Sequence, residues 1–290
     1  MSLVADETNR EKLLQDNLLL LKYKVEEQRL EKVWRQFEEG GFNPILIKGW
    51  AAAQKYPNPA ERLYVDVDLM FDSEEYSSAL EFYLSKSFEL TVDLHEGARH
   101  LDTLSFKELY QNSILKQCGE TSIRILSEED HLRILCVHWL NDGGGVKNRL
   151  WDIYHAVENR YEDFDWSKCL DVVNAKRRRW IITAIGIAHH YLELNISKFP
   201  FNEETKKIPK WVFKALEKEW KDEVRLMPLH YYLNDKKQLW KQIKKRIPPN
   251  PIQATIDLRG EFDNTPRIFY QIGDVFLRIF PSWKRISKRL

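Results

Sequence analysis

Two aspartates lie two residues apart in an apolar segment, and their spacing suits metal binding. In residues 63–71, Val65 and Val67 alternate with Asp66 and Asp68, as expected of a buried strand. Successive side chains of a strand point to opposite faces, so the two carboxylates share a face about 7 Å apart. Carboxylates that close repel unless a cation lies between them, and Mg²⁺ commonly binds one or two of them plus substrate phosphates. The alternative is an exposed strand whose aspartates bind nothing.

The segment upstream of this pair predicts a place for phosphate. Residues 44–49 read as a short apolar strand that enters a turn at Gly49, and the small residues 51–53 open a helix. Helix N-termini present free backbone N–H groups and a partial positive charge, which attract phosphate.

The segment downstream predicts a third carboxylate. Residues 89–95 alternate so that Asp93 and His95 face the same way. If this strand lies near the first, Asp93 joins Asp66 and Asp68 in a site for two metal ions about 3.5–4 Å apart.

Composition favours a cytoplasmic protein and excludes several classes. The net charge of +1 over 290 residues gives no overall signal for nucleic acid. Cys118, Cys136 and Cys169 are odd in number and lack Cys-x-x-Cys spacing, which argues against a disulfide framework or a zinc ribbon. The longest apolar run, residues 180–188, is too short to span a bilayer. Phosphate-loop and dinucleotide-binding glycine patterns are both missing from the sequence.

The pattern of elements predicts an α+β fold: a small mixed β-sheet with flanking helices, followed by a helical half. A long amphipathic helix over residues 12–39 ends at Gly40-Gly41. The predicted strands are 45–48, 63–71, 88–95 and 121–126, with helices at 50–55 and 74–86 between them. Ser127 opens a helix through about residue 140. The later predicted helices are 147–160, 166–175, 177–194, 209–221, 235–246 and 266–279. We expect a domain over residues 1–126 and a helical domain over residues 127–290.

The segment 283–290 forms a basic C-terminal tail. It carries four cations and no acidic residue. Such a segment is either a frayed end or a contact for an anionic membrane or nucleic acid.

Several short motifs resemble a known family in their order and spacing. In the predicted sheet they are Leu46-Ile47-Lys48-Gly49, Tyr56-Pro57, Arg62, Asp66-Val67-Asp68 and Val92-Asp93-Leu94-His95. In the helical half they are Leu135-Cys136-Val137-His138, Leu150-Trp151-Asp152-Ile153 and Asp165-Trp166. Over residues 12–195 the chain resembles the uncharacterised bacterial nucleotidyltransferases of the polymerase-β-like superfamily.

The resemblance implies a reaction class and roles for the carboxylates. Members of the superfamily move a nucleoside monophosphate from an NTP to an acceptor and release pyrophosphate. Asp66 and Asp68 would hold Mg²⁺ (or Mn²⁺) ions that bridge the triphosphate. Asp93 would hold the metal nearer the attacking oxygen and act as general base. The partners would be an NTP and a small-molecule, sugar, peptide or polymer acceptor.

The resemblance also implies substrate-binding residues around the carboxylates. Lys48 and the Gly49 amide would contact the β- and γ-phosphates, and Arg62 a phosphate or the acceptor. Independently of the resemblance, His95 lies near Asp93 on the same strand face and is a candidate for a phosphate or acceptor contact. The superfamily usually has Gly-Ser or Gly-Gly at the turn, whereas this chain has Trp50 after Gly49. That departure weakens the expected binding of phosphate by the turn unless the Lys48 ammonium compensates for it.

In the helical half, His138, Lys147 and Asp152 would line the cleft and contact nucleotide or acceptor. The alternative is that His138 is a core histidine bonded to a backbone carbonyl and that Asp152 caps a helix or pairs with a cation.

Two other function classes stay open. An Asp-x-Asp pair also occurs in glycosyltransferases that use a nucleotide-sugar, although several βα units usually precede it there, and only one helix and one strand precede Asp66 here. The third class is a degenerate transferase fold that binds a nucleotide or a partner without catalysis.

Overall fold

The computed structural model describes the backbone of residues 2–287 and the side chains of residues 13–278. The basic tail of residues 283–290 therefore lies outside the described side chains. The chain forms two compact units, one of Met1–Leu135 with His155–Cys169 and the other of Cys136–Tyr154 with Leu170–Leu290. The assignment of functional domains to residues 1–126 and 127–290 stays a prediction.

The first unit contains a five-stranded mixed sheet. Its strands are β1 (Ile45–Leu46), β2 (Asp66–Phe71), β3 (Thr91–Glu96), β4 (Ile114–Cys118) and β5 (Thr121–Ile125), in the order β3-β2-β1-β5-β4. The pairs β2–β3 and β1–β5 are parallel, whereas β1–β2 and β4–β5 are antiparallel. Together with the helices this sheet confirms the predicted α+β class.

Each face of the sheet covers a separate apolar core. On one face, Leu46, Val67 and Leu69 pack with buried residues of the long N-terminal helix, such as Val33 and Phe37. The opposite face carries a smaller core, whose members are Ile45, Ile47, Met70, Ala98, Leu101, Leu109, Leu126 and Ile134. Because strand side chains alternate, Asp66 and Asp68 lie on the face of the smaller core.

Helices flank the sheet in the first unit. In chain order they are α1 (Ser2–Glu39), α2 (Trp50–Ala53), α3 (Ser73–Ser85), α4 (Phe106–Asn112), α5 (Glu128–Asn141), α6 (Leu150–Glu158) and α7 (Trp166–Leu170). Helices α5, α6 and α7 also contribute residues to the second unit. Helix α1 ends at Glu39 and is followed, as predicted, by Gly40-Gly41; Gly41 has a φ of 83°, which only glycine adopts readily. The Ser127 hydroxyl accepts a hydrogen bond from the Asp130 amide at 3.2 Å, which caps α5.

A buried ion-pair network fixes the loop that follows β3. Arg133 of α5 donates from Nε to Asp102 Oδ2 at 2.8 Å and from Nη1 to the Lys168 carbonyl at 2.8 Å, and it also pairs with Asp130. Asp102 in turn accepts the backbone N–H of Thr103 at 2.6 Å. Each charged side chain in this network has a partner of opposite charge, as buried ions require. The loop is thereby held against α5.

The second unit is helical. Its remaining helices are α8 (Ala175–Leu192), α9 (Asn202–Thr205), α10 (Lys210–Lys221), α11 (Lys236–Arg246), α12 (Pro251–Asp257) and α13 (Ile268–Ser287). Helix α12 packs against α13. Among the helices of the described residues, none combines the length and the apolar character needed to cross a bilayer.

The structure corrects some of the predicted elements. The strand predicted over residues 63–71 begins at Asp66, and Val65 is 83% exposed instead of buried. Strand β4 was not predicted, because its half-exposed residues do not form a clear apolar face. Helices α4, α9 and α12 were also missed, since each has seven residues or fewer and so shows little helical periodicity.

The three cysteines are free thiols and all are buried. Burial raises the pKa of Cys118 to about 12 and also raises the pKa of Cys169. The expectation of a chain without a disulfide framework agrees with this arrangement.

Candidate metal centre

The parallel pairing of β2 with β3 brings two carboxylates and one imidazole together. Asp68 lies directly opposite Asp93 in the register, and His95 lies two residues further along β3 on the same face. His95 Nε2 is 3.1 Å from Asp68 Oδ1 and 3.2 Å from Asp93 Oδ2. One ligand atom from each of the three residues lies within 4.8 Å of the others. The group is therefore compact enough to hold one metal ion.

Asp68 is the buried member of this group. Its side chain is 8% exposed, against 56% for Asp93. The Lys48 ammonium lies 2.7 Å from Asp68 Oδ1. Burial alone favours the neutral carboxyl, but the hydrogen bond with His95 and the charge of Lys48 outweigh it, so the pKa of Asp68 is lowered. Asp68 thus presents a charged carboxylate in a largely water-excluded position.

The donor set fits a divalent cation. Carboxylate oxygens suit Mg²⁺ and Mn²⁺, and an imidazole nitrogen adds affinity for Mn²⁺ and other transition metals. His95 contacts both aspartates through the same atom, Nε2. That atom either donates a proton to the carboxylates or offers its lone pair to a metal, so His95 acts either as a ligand or as a group that orients the ligands.

Asp66 lies outside this compact group. It starts β2 and is exposed. It pairs in the register with Thr91, two residues before the pair of Asp68 and Asp93. It shares their face of the sheet by alternation. Its role as a metal ligand stays a prediction.

The Lys48-Gly49 turn joins β1 to α2. Gly49 has φ 55° and ψ −109°, a backbone conformation that only glycine adopts readily. Trp50 does not fill the turn: its side chain is buried in the larger core, and its indole N–H donates to Glu27 at 3.3 Å. Helix α2 has four residues, so its dipole is small and Lys48 supplies most of the positive charge near the turn.

The other predicted binding residues are described by their own contacts and burial. Arg62 is half-buried and donates to the Leu63 carbonyl at 2.7 Å. His138 and Asp152 belong to the second unit, where His138 Nδ1 lies 3.8 Å from Asp142 and Asp152 is buried. Their contacts with nucleotide or acceptor stay predictions, as does that of Arg62.

Two features of the site were not predicted. The residues indicated that His95 shares a face with Asp93, but the expected role was a phosphate or acceptor contact and not a place among the metal-binding groups. The pairing of Lys48 with Asp68 has no signal in the sequence, because it depends on how β1 and β2 align.

Comparisons with known proteins give one structural similarity. Neither a protein-family model nor a curated protein sequence matches the chain. Among solved structures, an antigenic nucleotidyltransferase-like protein from Paracoccidioides brasiliensis is similar over 62% of this chain and 91% of its own, with 10% identity and a TM-score of 0.39. At this TM-score the similarity establishes neither a shared fold nor a shared activity.

Proposed function

We propose that the protein is a cytoplasmic, Mg²⁺-dependent nucleotidyltransferase that moves a nucleoside monophosphate from an NTP to an acceptor hydroxyl or phosphate. The observation that carries the proposal is the position of Asp68 opposite Asp93 on adjacent parallel strands, with His95 between their carboxylates. The buried carboxylate of Asp68 and the half-exposed carboxylate of Asp93 lie side by side. Such a pair suits a cation that the protein holds and that a substrate can also reach.

The transfer needs little covalent chemistry from the protein. An acceptor oxygen forms a bond to the α-phosphorus, the bond from that phosphorus to the bridging oxygen breaks, and pyrophosphate leaves. The acceptor proton passes to Asp93, whose side chain is 56% exposed and so open to a second substrate. Positioning and charge neutralisation supply most of the rate in such reactions.

Asp68 and Asp93 would hold the divalent cation, with His95 as a third ligand or as their orienting partner. The cation, when bound, neutralises charge on the triphosphate and on the leaving pyrophosphate. Lys48 contributes a fixed positive charge beside Asp68, and its proposed role is to contact a phosphate. Asp66 starts the same strand and would extend the metal-binding face toward solvent.

Thermal unfolding with each of the four NTPs, with and without Mg²⁺, tests the proposal. A ligand present at 100 times its dissociation constant adds about 2.7 kcal/mol to the free energy of unfolding. We expect one NTP to stabilise the protein only when Mg²⁺ is present. We expect Asp68→Asn combined with Asp93→Asn to remove both this shift and the release of pyrophosphate.

An exposed aspartate in the same unit gives the matched control. Asp163→Asn makes the same chemical change away from β2 and β3, and it should leave both the shift and the turnover intact. If the double variant kept NTP turnover at the wild-type level, the assignment of the metal centre would be wrong. A shift with nucleotide-sugars and with no NTP would favour the glycosyltransferase class.

A second candidate function has one specific observation in its favour. The Lys48 ammonium already neutralises Asp68, at 2.7 Å, in the way a metal ion otherwise does. A degenerate transferase fold would use this lysine to bind a nucleotide without metal and without turnover. Stabilisation by an NTP that persists in a chelator and is lost in Lys48→Met would favour this function over catalysis.

A further inference from the structure

An apolar stripe on helix α13 is exposed to solvent. Ile268, Phe269, Ile272 and Phe276 follow helical spacing and fall within about a third of the helix circumference, at about 100° per residue. Phe269 is 66% exposed and Phe276 57%. Single exposed apolar residues are ordinary, but a contiguous stripe that includes two phenylalanines marks an interaction surface.

The opposite side of the same helix is already occupied within the second unit. Asp274 is 1% exposed and accepts from Arg278 Nε at 2.9 Å, and Arg278 also reaches Asp257 of α12 at 3.0 Å. Gln271 donates to the Pro249 carbonyl at 2.6 Å. Helix α13 is thus held to the unit along one side, and the stripe faces away from these contacts.

The sequence that follows the stripe is strongly basic. After Asp274 it contains no acidic residue and five basic ones. Arg278 is paired with Asp274 and Asp257, and the other four are Lys284, Arg285, Lys288 and Arg289. An exposed apolar face joined to a run of cations has the composition of helices that bind at the surface of anionic membranes. Cations alone also suit nucleic acid, but exposed Ile and Phe side chains add nothing to phosphate contacts.

A second exposed apolar stripe in the chain lacks this charge. On helix α1, Leu14, Leu18 and Leu21 are each more than half exposed. The surrounding residues 13–31 contain three basic and four acidic residues, so their charges nearly cancel. Variants of the two stripes can therefore separate the apolar contribution to surface binding from the electrostatic contribution.

We propose that the protein docks on an anionic lipid surface through the α13 stripe, with the phenylalanines and isoleucines at the level of the acyl chains and the basic residues among the headgroups. The inner leaflet that faces the cytoplasm is negatively charged, which agrees with a cytoplasmic protein of free thiols. The docking is peripheral, and it is independent of the proposed transfer reaction because the stripe shares no residue with the metal centre.

Flotation of the full chain with lipid vesicles tests the docking. We expect binding to vesicles of equal parts phosphatidylglycerol and phosphatidylcholine, little binding to phosphatidylcholine alone, and a decrease when salt is raised. Phe269→Ser combined with Phe276→Ser should weaken the binding at least about tenfold, since two large apolar side chains no longer leave water. Lys284→Glu with Arg285→Glu should abolish it.

Leu14→Ser combined with Leu18→Ser is the matched control, because it removes exposed apolar residues from the stripe without cation excess. It should leave vesicle binding unchanged. Thermal unfolding checks that each variant folds, and NTP binding by the phenylalanine variant should equal that of the wild type.

Four outcomes would overturn the proposal. The first is no binding to anionic vesicles, and the second is binding that the phenylalanine substitutions do not weaken. The third is a dimer, seen by light scattering, that these substitutions dissociate while vesicles stay unbound; the stripe would then be a contact between two copies. Tight binding of an oligonucleotide with no vesicle binding would likewise assign the cations to nucleic acid.

Discussion

A single glycine determines how the chain leaves β1 beside the candidate metal centre. Gly49 has φ 55° and ψ −109°, which side chains with a Cβ disfavour. A Cβ at this position would meet Tyr64 Cβ at 3.4 Å and the Asp66 carbonyl at 3.5 Å, both ordinary contacts. The requirement for glycine therefore comes from the backbone conformation and not from crowding.

We predict that Gly49→Ala lowers the free energy of unfolding by about 1–3 kcal/mol, the usual cost of a strained backbone conformation. Urea unfolding measures this change. Gly145→Ala is the control, because Gly145 has no left-handed φ and its Cβ would meet nothing closer than 3.4 Å. If the two variants were equally stable, Gly49 would not be strained by a side chain and the turn would tolerate other residues.

Residue types and alternation predicted which side chains share a face, but not which of them touch. Asp68, Asp93 and His95 were all candidates. Period-two alternation places Asp68 on the polar face of one strand, and it places Asp93 and His95 together on the polar face of the next strand. Their contact depends on the parallel register of β2 with β3, which joins residues about 25 positions apart. No local pattern contains that information, and the same holds for Lys48.

At the scale of elements, the long and strongly periodic segments were predictable. Helices α1, α3, α5, α8, α10 and α11 begin and end within a few residues of their predicted bounds, apart from the N-terminal end of α1. Short elements such as β4 and α12 were missed, because their few residues carry little periodicity and they are defined by neighbours distant in sequence. The first residues of the predicted strand 63–71 lack a partner strand and so do not join the sheet.

The packing of α12 against α13 places two acidic side chains close together. Burial and the neighbouring Asp274 raise the pKa of Asp257 to about 6, although Arg278 opposes the shift. Between the ordinary pKa of 3.8 and this value, the folded chain binds more protons than the unfolded chain. The contribution of Asp257 to stability therefore falls as pH rises through this window, and it is fully lost above the folded pKa.

We predict that Asp257→Asn raises the free energy of unfolding at neutral pH and changes it little in acid below the ordinary Asp pKa. One pKa unit corresponds to about 1.4 kcal/mol, and the side chain is 28% exposed, so we expect a gain of about 1–2 kcal/mol. Chemical unfolding across this pH range measures the difference.

Asp263 provides a control of opposite sign in the same unit. Despite partial desolvation, its hydrogen bonds with Thr265 and its pairing with Arg267 lower the pKa of its carboxyl. Asp263→Asn should therefore destabilise the protein at neutral pH. A loss of stability in Asp257→Asn as well would mean that the ion pair with Arg278 outweighs the repulsion from Asp274.

At the scale of the whole molecule, the chain divides into two compact units that both contain buried thiols. Cys118 and Cys169 belong to the first unit and Cys136 to the second. Cys118 Sγ lies 3.8 Å from the Glu27 carbonyl, beneath helix α1. The candidate metal centre lies in the first unit as well, on β2 and β3.

The reactivity of these buried thiols reports how often the folded chain unfolds locally. A thiol reagent reacts with the thiolate form of cysteine. Burial raises the pKa of Cys118 and so keeps its thiolate scarce, and labelling there therefore requires local unfolding. We predict that all three cysteines react slowly in the folded protein and rapidly in denaturant, as mass spectrometry of digested samples would resolve site by site. Mg²⁺ and the preferred NTP at about 100 times the dissociation constant should slow labelling at Cys118 by up to about 100-fold, since only the closed form binds. Rapid labelling of the native chain would instead mean that α1 leaves the sheet far more often than its buried contacts suggest.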